Sequence, residues 1–257
     1  RAGPSLWFWV GYFTPRARGA GPAPPHPPPA ARPPGGAPFR GLIALSAATG
    51  IVIECVYGDV LVVLSFFTIW SNILVAAVLG LGAVRAWTRR PPLPALWTGG
   101  VLLCIAVVGL VFHLVLDNEA SEFNQAAEIA RLTGAKAVAN QLLHTVTPLG
   151  TALDFLLLTA PGALRWRHAA QWLAAPLLYF AFALVRGELI SPDAPTRYTY
   201  PFLDVTVHGY AGVLTNAVVL GAAFYALGLA IVGLDRIRPA PRSPEYRISP
   251  QRARGLK

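Results

Sequence analysis

Polar side chains that could do chemistry stand out in this 257-residue chain because they interrupt long apolar stretches. Ser65, Thr68, Ser71 and Asn72 recur at helical spacing and share an arc of about 120° on one helix. His144, Thr147, Thr151 and Asp154 share an arc of about 80° on another. Glu54, His113, His208 and Asn216 fall near the ends of further apolar stretches. Ionisable groups in such places usually mark an ion path or a site. Two chemistries follow from the residue types. Glu54, Asp154 and the histidines could pass protons or a solute, as in a transporter or channel. Alternatively His113, His144 and His208, with Glu54 and Asp117 near them, could hold zinc in a membrane hydrolase. The hydroxyls and amides have a plainer reading. Ser, Thr and Asn glue membrane helices by hydrogen bonding across them or to their own backbone. That reading suits Ser65, Ser71, Thr151 and Asn216 taken singly. His144 fits it least, in Leu142-Leu-His-Thr-Val-Thr-Pro148, where a proline weakens the helix.

The elements that must carry these groups are membrane helices. Hydrophobic residues make up 54% of the chain, charged residues 13%, and the mean hydropathy is +0.51. Soluble domains carry about 25% charged residues. Six apolar stretches, 41–57, 60–84, 96–116, 138–160, 169–185 and 205–234, are long enough or nearly so for a hydrocarbon core of about 30 Å. Backbone groups in lipid must pair within their own segment, so the stretches should be helices. The fold class expected is all-α, a polytopic membrane protein with six transmembrane helices over 39–236. Residues 1–38 hold 11 of the 24 prolines and are expected to form a disordered tail. Residues 237–257 form a basic tail. The lack of any methionine suggests that the natural start lies outside this sequence.

Charge orients the spans. Of the 21 Lys and Arg residues, 17 fall in the N-terminal segment, the loops after spans two and four, and the C-terminal tail. By the positive-inside rule both termini are expected in the cytoplasm. The net charge of +9 then serves anionic lipids of the inner leaflet, not nucleic acid. On this topology Thr68 lies about 12 Å and His144 about 9 Å below the same outer surface, and the polar interior opens outward. Tyr198, Tyr200 and Phe202 are expected in an interfacial aromatic belt. Cys55 and Cys104 lie at different depths and are expected to stay unpaired.

Three segments carry a resemblance. Phe66-Phe-Thr-Ile-Trp-Ser-Asn-Ile-Leu74, His144-Thr-Val-Thr-Pro148 with Leu153-Asp-Phe-Leu-Leu157, and Tyr200-Pro-Phe-Leu-Asp204 resemble motifs of the androgen-induced-protein family. The last looks like its bacterial branch, mostly six-pass membrane proteins of actinobacteria. The resemblance covers about residues 40–235. It implies intramembrane hydrolysis of fatty acid esters of hydroxy fatty acids, with Thr68 as nucleophile and His144 as base, in the bacterial cytoplasmic membrane. A threonine hydroxyl needs an adjacent base, and a neutral imidazole can be one. No cofactor and no metal are called for. Supporting roles would fall on Asn72 as oxyanion donor, on Thr147 as the group orienting the imidazole, and on Ser71, Asp154 and His208 as binding or orienting residues. Trp70 and Asp154 depart from the animal pattern.

Overall fold

The computed structural model describes residues 36–194 and 196–239. The expected tails lie outside these residues for the most part. Where they overlap, residues 36–38 already belong to the first helix, because Gly36-Ala-Pro-Phe39 supplies a proline inside the first turn, where its missing N–H costs nothing. The described residues are helical, with no strand among them.

Helix α1 spans Gly36–Tyr57, a short α2 spans Val60–Val63, and α3 spans Phe67–Trp87. Helix α4, Ala95–Val111, runs on through a π-turn segment, Phe112–Leu116. After a short α5, Ala126–Ile129, an unbroken run covers 134–158. It consists of α6 (Gly134–Gln141), a π segment (Leu142–Val146), α7 (Thr147–Leu153) and a second π segment (Asp154–Leu158). Helices α8 (Trp166–Trp172) and α9 (Ala174–Leu189) follow end to end, then a 3-10 turn at Pro201–Leu203, and finally α10 (Val205–Ile237). The offset between α8 and α9 sits just before Pro176, whose ring cannot donate to the preceding turn.

Among the described residues, five helices are long and apolar enough to cross a membrane: Gly36–Tyr57, Phe67–Trp87, Ala95–Leu116, Trp166–Leu189 and Val205–Ile237. Their outer faces carry exposed Leu45, Trp87, Leu178 and Val218, among others. In water such a surface would drive association; in lipid it is solvated. The protein is a membrane protein. The stretch expected at 138–160 is helical, but it is divided by its two π segments.

The expected single span over 60–84 is broken at Leu64–Phe66. Side chains take over the carbonyls there. Trp70 Nε1 donates to the Leu64 carbonyl at 2.7 Å, and the Tyr179 hydroxyl donates to the Ser65 carbonyl at 3.0 Å. Ser65 Oγ turns back onto the Val62 carbonyl. With these acceptors satisfied, the chain can stop one helix and start another inside the protein. Thr68 is therefore the second residue of α3 rather than a mid-helix position.

The 134–158 run lies against α1, α3 and α4. Close approach is possible because Gly50 of α1 meets Leu143 and Gly109 of α4 meets Pro148. A Cβ at either glycine would come within 2.7 and 2.9 Å of those side chains. That seats the segment bearing His144 deep against its neighbours.

Candidate active site

Thr68 and His144, 76 residues apart in sequence, meet: Thr68 Oγ1 is 3.3 Å from His144 Nε2. The other ring nitrogen, Nδ1, is 3.0 Å from the Asn140 carbonyl one turn back. A carbonyl can only accept, so Nδ1 carries the proton in the neutral ring. Nε2 then presents its lone pair to the Thr68 hydroxyl, the arrangement a general base requires. Phe112 stacks on the imidazole with ring centroids 4.2 Å apart and fixes its plane. His144 and Phe112 both belong to π segments, which recur at functional sites because they re-aim side chains.

The supporting roles differ from those expected. Asn72 does not offer its amide to an oxyanion. Its Nδ2 donates to the carbonyls of Thr68 and Leu143, and its Oδ1 accepts from the Thr147 hydroxyl at 2.7 Å. Asn72 and Thr147 together clamp the first turn of α3 to the His144 segment. Thr147 does not touch the imidazole; Asn140 does that work. Thr151 bonds back to the Thr147 carbonyl, as helix glue does. Ser71 is buried with no partner for its hydroxyl. Asp154 pairs with Arg40 at 2.7 Å and accepts from Thr159. Glu54 pairs with Lys136. Because Arg40 and Glu54 lie 14 positions apart on α1, about 21 Å along the axis, Asp154 belongs to the opposite end of the helix from Glu54. His208 packs edge-on against Phe123 and lines neither cavity around Thr68.

The zinc set is not assembled either. His113 is hydrogen-bonded to Thr145. No group of three or more His, Cys, Asp or Glu side chains among the described residues could hold a metal ion. Cys55 and Cys104 are free thiols.

Two cavities meet at Thr68, His144, Phe112, Leu116 and Tyr200. The first, about 110 Å³, is walled by apolar side chains of α4, α9 and α10, ending at Leu177, Gly221 and Phe224. The second, about 200 Å³, is more polar and is lined by Glu54, Gln125, Asn140 and Thr199. A group held at Thr68 thus has an apolar chamber on one side and a polar one on the other.

Tyr200 is the site residue that sequence reasoning assigned elsewhere. Instead of joining an interfacial belt, Tyr200 and Phe202 are buried, stacked on each other at 5.2 Å. The Tyr200 hydroxyl accepts from the Thr68 N–H at 3.3 Å and lies 3.3 Å from Thr68 Oγ1. Burial pushes its phenol up from the usual range. The loop is pinned to α9 by Arg186, which donates to the Thr196 and Arg197 carbonyls, and by Arg197, which donates back to the Gly187 carbonyl. The signal available in the sequence was the Tyr-Pro pair, since the residue before proline is held extended. Tyr198 alone stays outward, its hydroxyl on Glu188. Comparison of the chain with protein-family models, curated proteins and solved structures found no match.

Proposed function

We propose that the protein is an intramembrane lipid-ester hydrolase that uses Thr68 as nucleophile and His144 as general base. The observation that carries this reading is the 3.3 Å approach of Thr68 Oγ1 to an imidazole whose other nitrogen is tied to a backbone carbonyl. The meeting of an apolar and a polar cavity at that pair supports a substrate with a hydrocarbon acyl chain and a more polar alcohol half. Fatty acid esters of hydroxy fatty acids fit that description. They are the class expected if the chain belongs with the androgen-induced-protein family, a membership that is part of the proposal.

In the proposed mechanism the acyl chain lies in the apolar cavity with the ester carbonyl over Thr68. Oγ1 attacks the carbonyl carbon while its proton passes to His144 Nε2, and the carbonyl electron pair moves onto oxygen. When the adduct collapses, the bond to the alcohol oxygen breaks, and His144 returns its proton to that oxygen. Water from the polar cavity then attacks the acyl-threonine with His144 again as base; the bond from the acyl carbon to Oγ1 breaks, His144 returns the proton to Oγ1, and the fatty acid is released. No cofactor is needed.

The proposal includes a sixth span over the 134–158 run, both termini in the cytoplasm and residence in a bacterial cytoplasmic membrane. The 17 of 21 basic residues on one side support that orientation. The basic segments would then face anionic inner-leaflet lipids.

The test is covalent labelling of purified protein by a fluorophosphonate, together with turnover of a branched fatty ester. Both are expected to be lost in Thr68→Ala and in His144→Ala. Labelling that persists in Thr68→Ala, or unchanged turnover in His144→Ala, would exclude the assignment.

A further inference from the structure

We infer that Tyr200 is the oxyanion donor of this site, an inference that rests on the ester-hydrolase reading. A tetrahedral adduct at Thr68 needs a donor already aimed at the oxygen that becomes negative. Asn72, the expected donor, has both amide protons on carbonyls and its oxygen on Thr147. Among the described residues, the hydroxyl within hydrogen-bond reach of Thr68 Oγ1 is that of Tyr200, at 3.3 Å.

The hydrogen-bond directions assign its proton. Nδ1–H of His144 goes to the Asn140 carbonyl, so the Thr68 hydroxyl donates to Nε2. The Thr68 N–H donates to Tyr200 Oη. The phenol proton is left to point at Thr68 Oγ1, 3.3 Å away. Once Oγ1 is bonded to the carbonyl carbon and has lost its proton to His144, it is an ether-type oxygen, a weaker acceptor than the charged oxygen formed beside it. The new oxyanion sits on the same carbon. Two oxygens on one tetrahedral carbon are closer to each other than Oγ1 is to Oη. The phenol therefore swings its donation from Oγ1 to the oxyanion with little movement of the ring. When the adduct collapses to the acyl-threonine, the carbonyl re-forms and the phenol keeps its proton throughout.

Preorganisation comes from the surroundings. The Tyr200 ring lies flat on Phe202 and takes the edge of Phe66 at 5.7 Å. Its backbone is extended at φ −137° and ψ 144°, as Pro201 requires. The ring lines both cavities, so its hydroxyl is at the border where the ester group would lie.

The experiment measures kcat and KM for p-nitrophenyl octanoate with the full chain in detergent. The proteins compared are wild type, Thr68→Ala, Tyr200→Phe, Tyr198→Phe, and a series with fluorinated tyrosines at position 200. Tyr198→Phe removes a hydroxyl of the same loop that bonds Glu188 rather than Thr68. Tyr200→Phe should lower kcat about 10²- to 10³-fold with KM nearly unchanged, the mark of an interaction made only in the transition state. Tyr198→Phe should change kcat far less. In the fluorotyrosine series kcat should follow the acidity of the phenol, which a purely structural hydroxyl would not produce. That series decides the matter alone if Tyr200→Phe does not fold. Tyr200→Phe within about threefold of wild-type kcat, or a flat fluorotyrosine series, overturns the role of Tyr200 while Thr68-dependent turnover stands. Wild-type turnover that survives in Thr68→Ala overturns the hydrolase reading and this inference together.

Discussion

Gly221 offers a direct measure of where a substrate's hydrocarbon chain lies. It sits on α10 in the wall of the apolar cavity, beside Ala217, Leu220 and Phe224. A Cβ built there meets no atom within 4 Å, so the position faces open space. Leucine at this site would project its branched side chain into a cavity of about 110 Å³. It would displace about four methylenes of a bound acyl chain, each worth ~0.8 kcal/mol of burial. The loss comes to about 3 kcal/mol, or on the order of 10²-fold in kcat/KM. The assay is hydrolysis of p-nitrophenyl dodecanoate against p-nitrophenyl acetate. Gly221→Leu should lose the dodecanoate activity by that factor and keep the acetate activity, since an acetyl group does not reach the wall. Helix stability should hold or improve, because glycine in a helix interior costs ~0.5–1 kcal/mol relative to alanine. Equal losses on both esters, or an undiminished rate on the dodecanoate, would refute the assignment of this cavity to the acyl chain.

Three further outcomes test the framework around the site. Asn72→Ala should lower stability by ~1–3 kcal/mol and reduce turnover as well, because the clamp between α3 and the His144 segment is lost; thermal unfolding in detergent and kcat measured together check this, and unchanged values of both would contradict it. Arg40→Ala leaves Asp154 buried without its ion partner, so unfolding should become easier by ~3–5 kcal/mol while the folded fraction keeps its kcat; a fall in kcat at normal stability would return Asp154 to the site. Ser71→Ala removes a buried hydroxyl that has no partner, so stability should stay within ~0.5 kcal/mol or rise, with activity unchanged; a clear loss of either in the same assays would reveal a role for that hydroxyl.

Several of these features were legible before any coordinates. Thr68 and His144 could be brought to similar depth because helix rise is fixed and each span was counted from the same expected surface. The buried character of Ser71, Asn72, Thr147 and Thr151 followed from helical spacing alone. Reading failed wherever a polar group had more than one partner to choose from. Asn72 could have faced Thr68 Oγ1 or the backbone, and it took two carbonyls and a hydroxyl. Asp154 could have served the site or a cation, and Arg40 lay 114 residues away in sequence, at the other end of α1 from Glu54. The break at Leu64–Phe66 depends on Trp70 and Tyr179 satisfying carbonyls, and no local pattern announces that.

The sequence by itself determined that this is a helical membrane protein, roughly where its long apolar helices lie and which faces carry polar groups. Composition and period are local properties, and lipid leaves the backbone few choices. The tertiary structure alone decided that the loop after α9 folds inward and sets Tyr200 on the first turn of α3. It also decided which nitrogen of His144 faces Thr68, and that an apolar and a polar cavity meet there. Each of these depends on a hydrogen bond or a packing contact between residues far apart in the chain, where several partners are chemically equivalent and only geometry selects one.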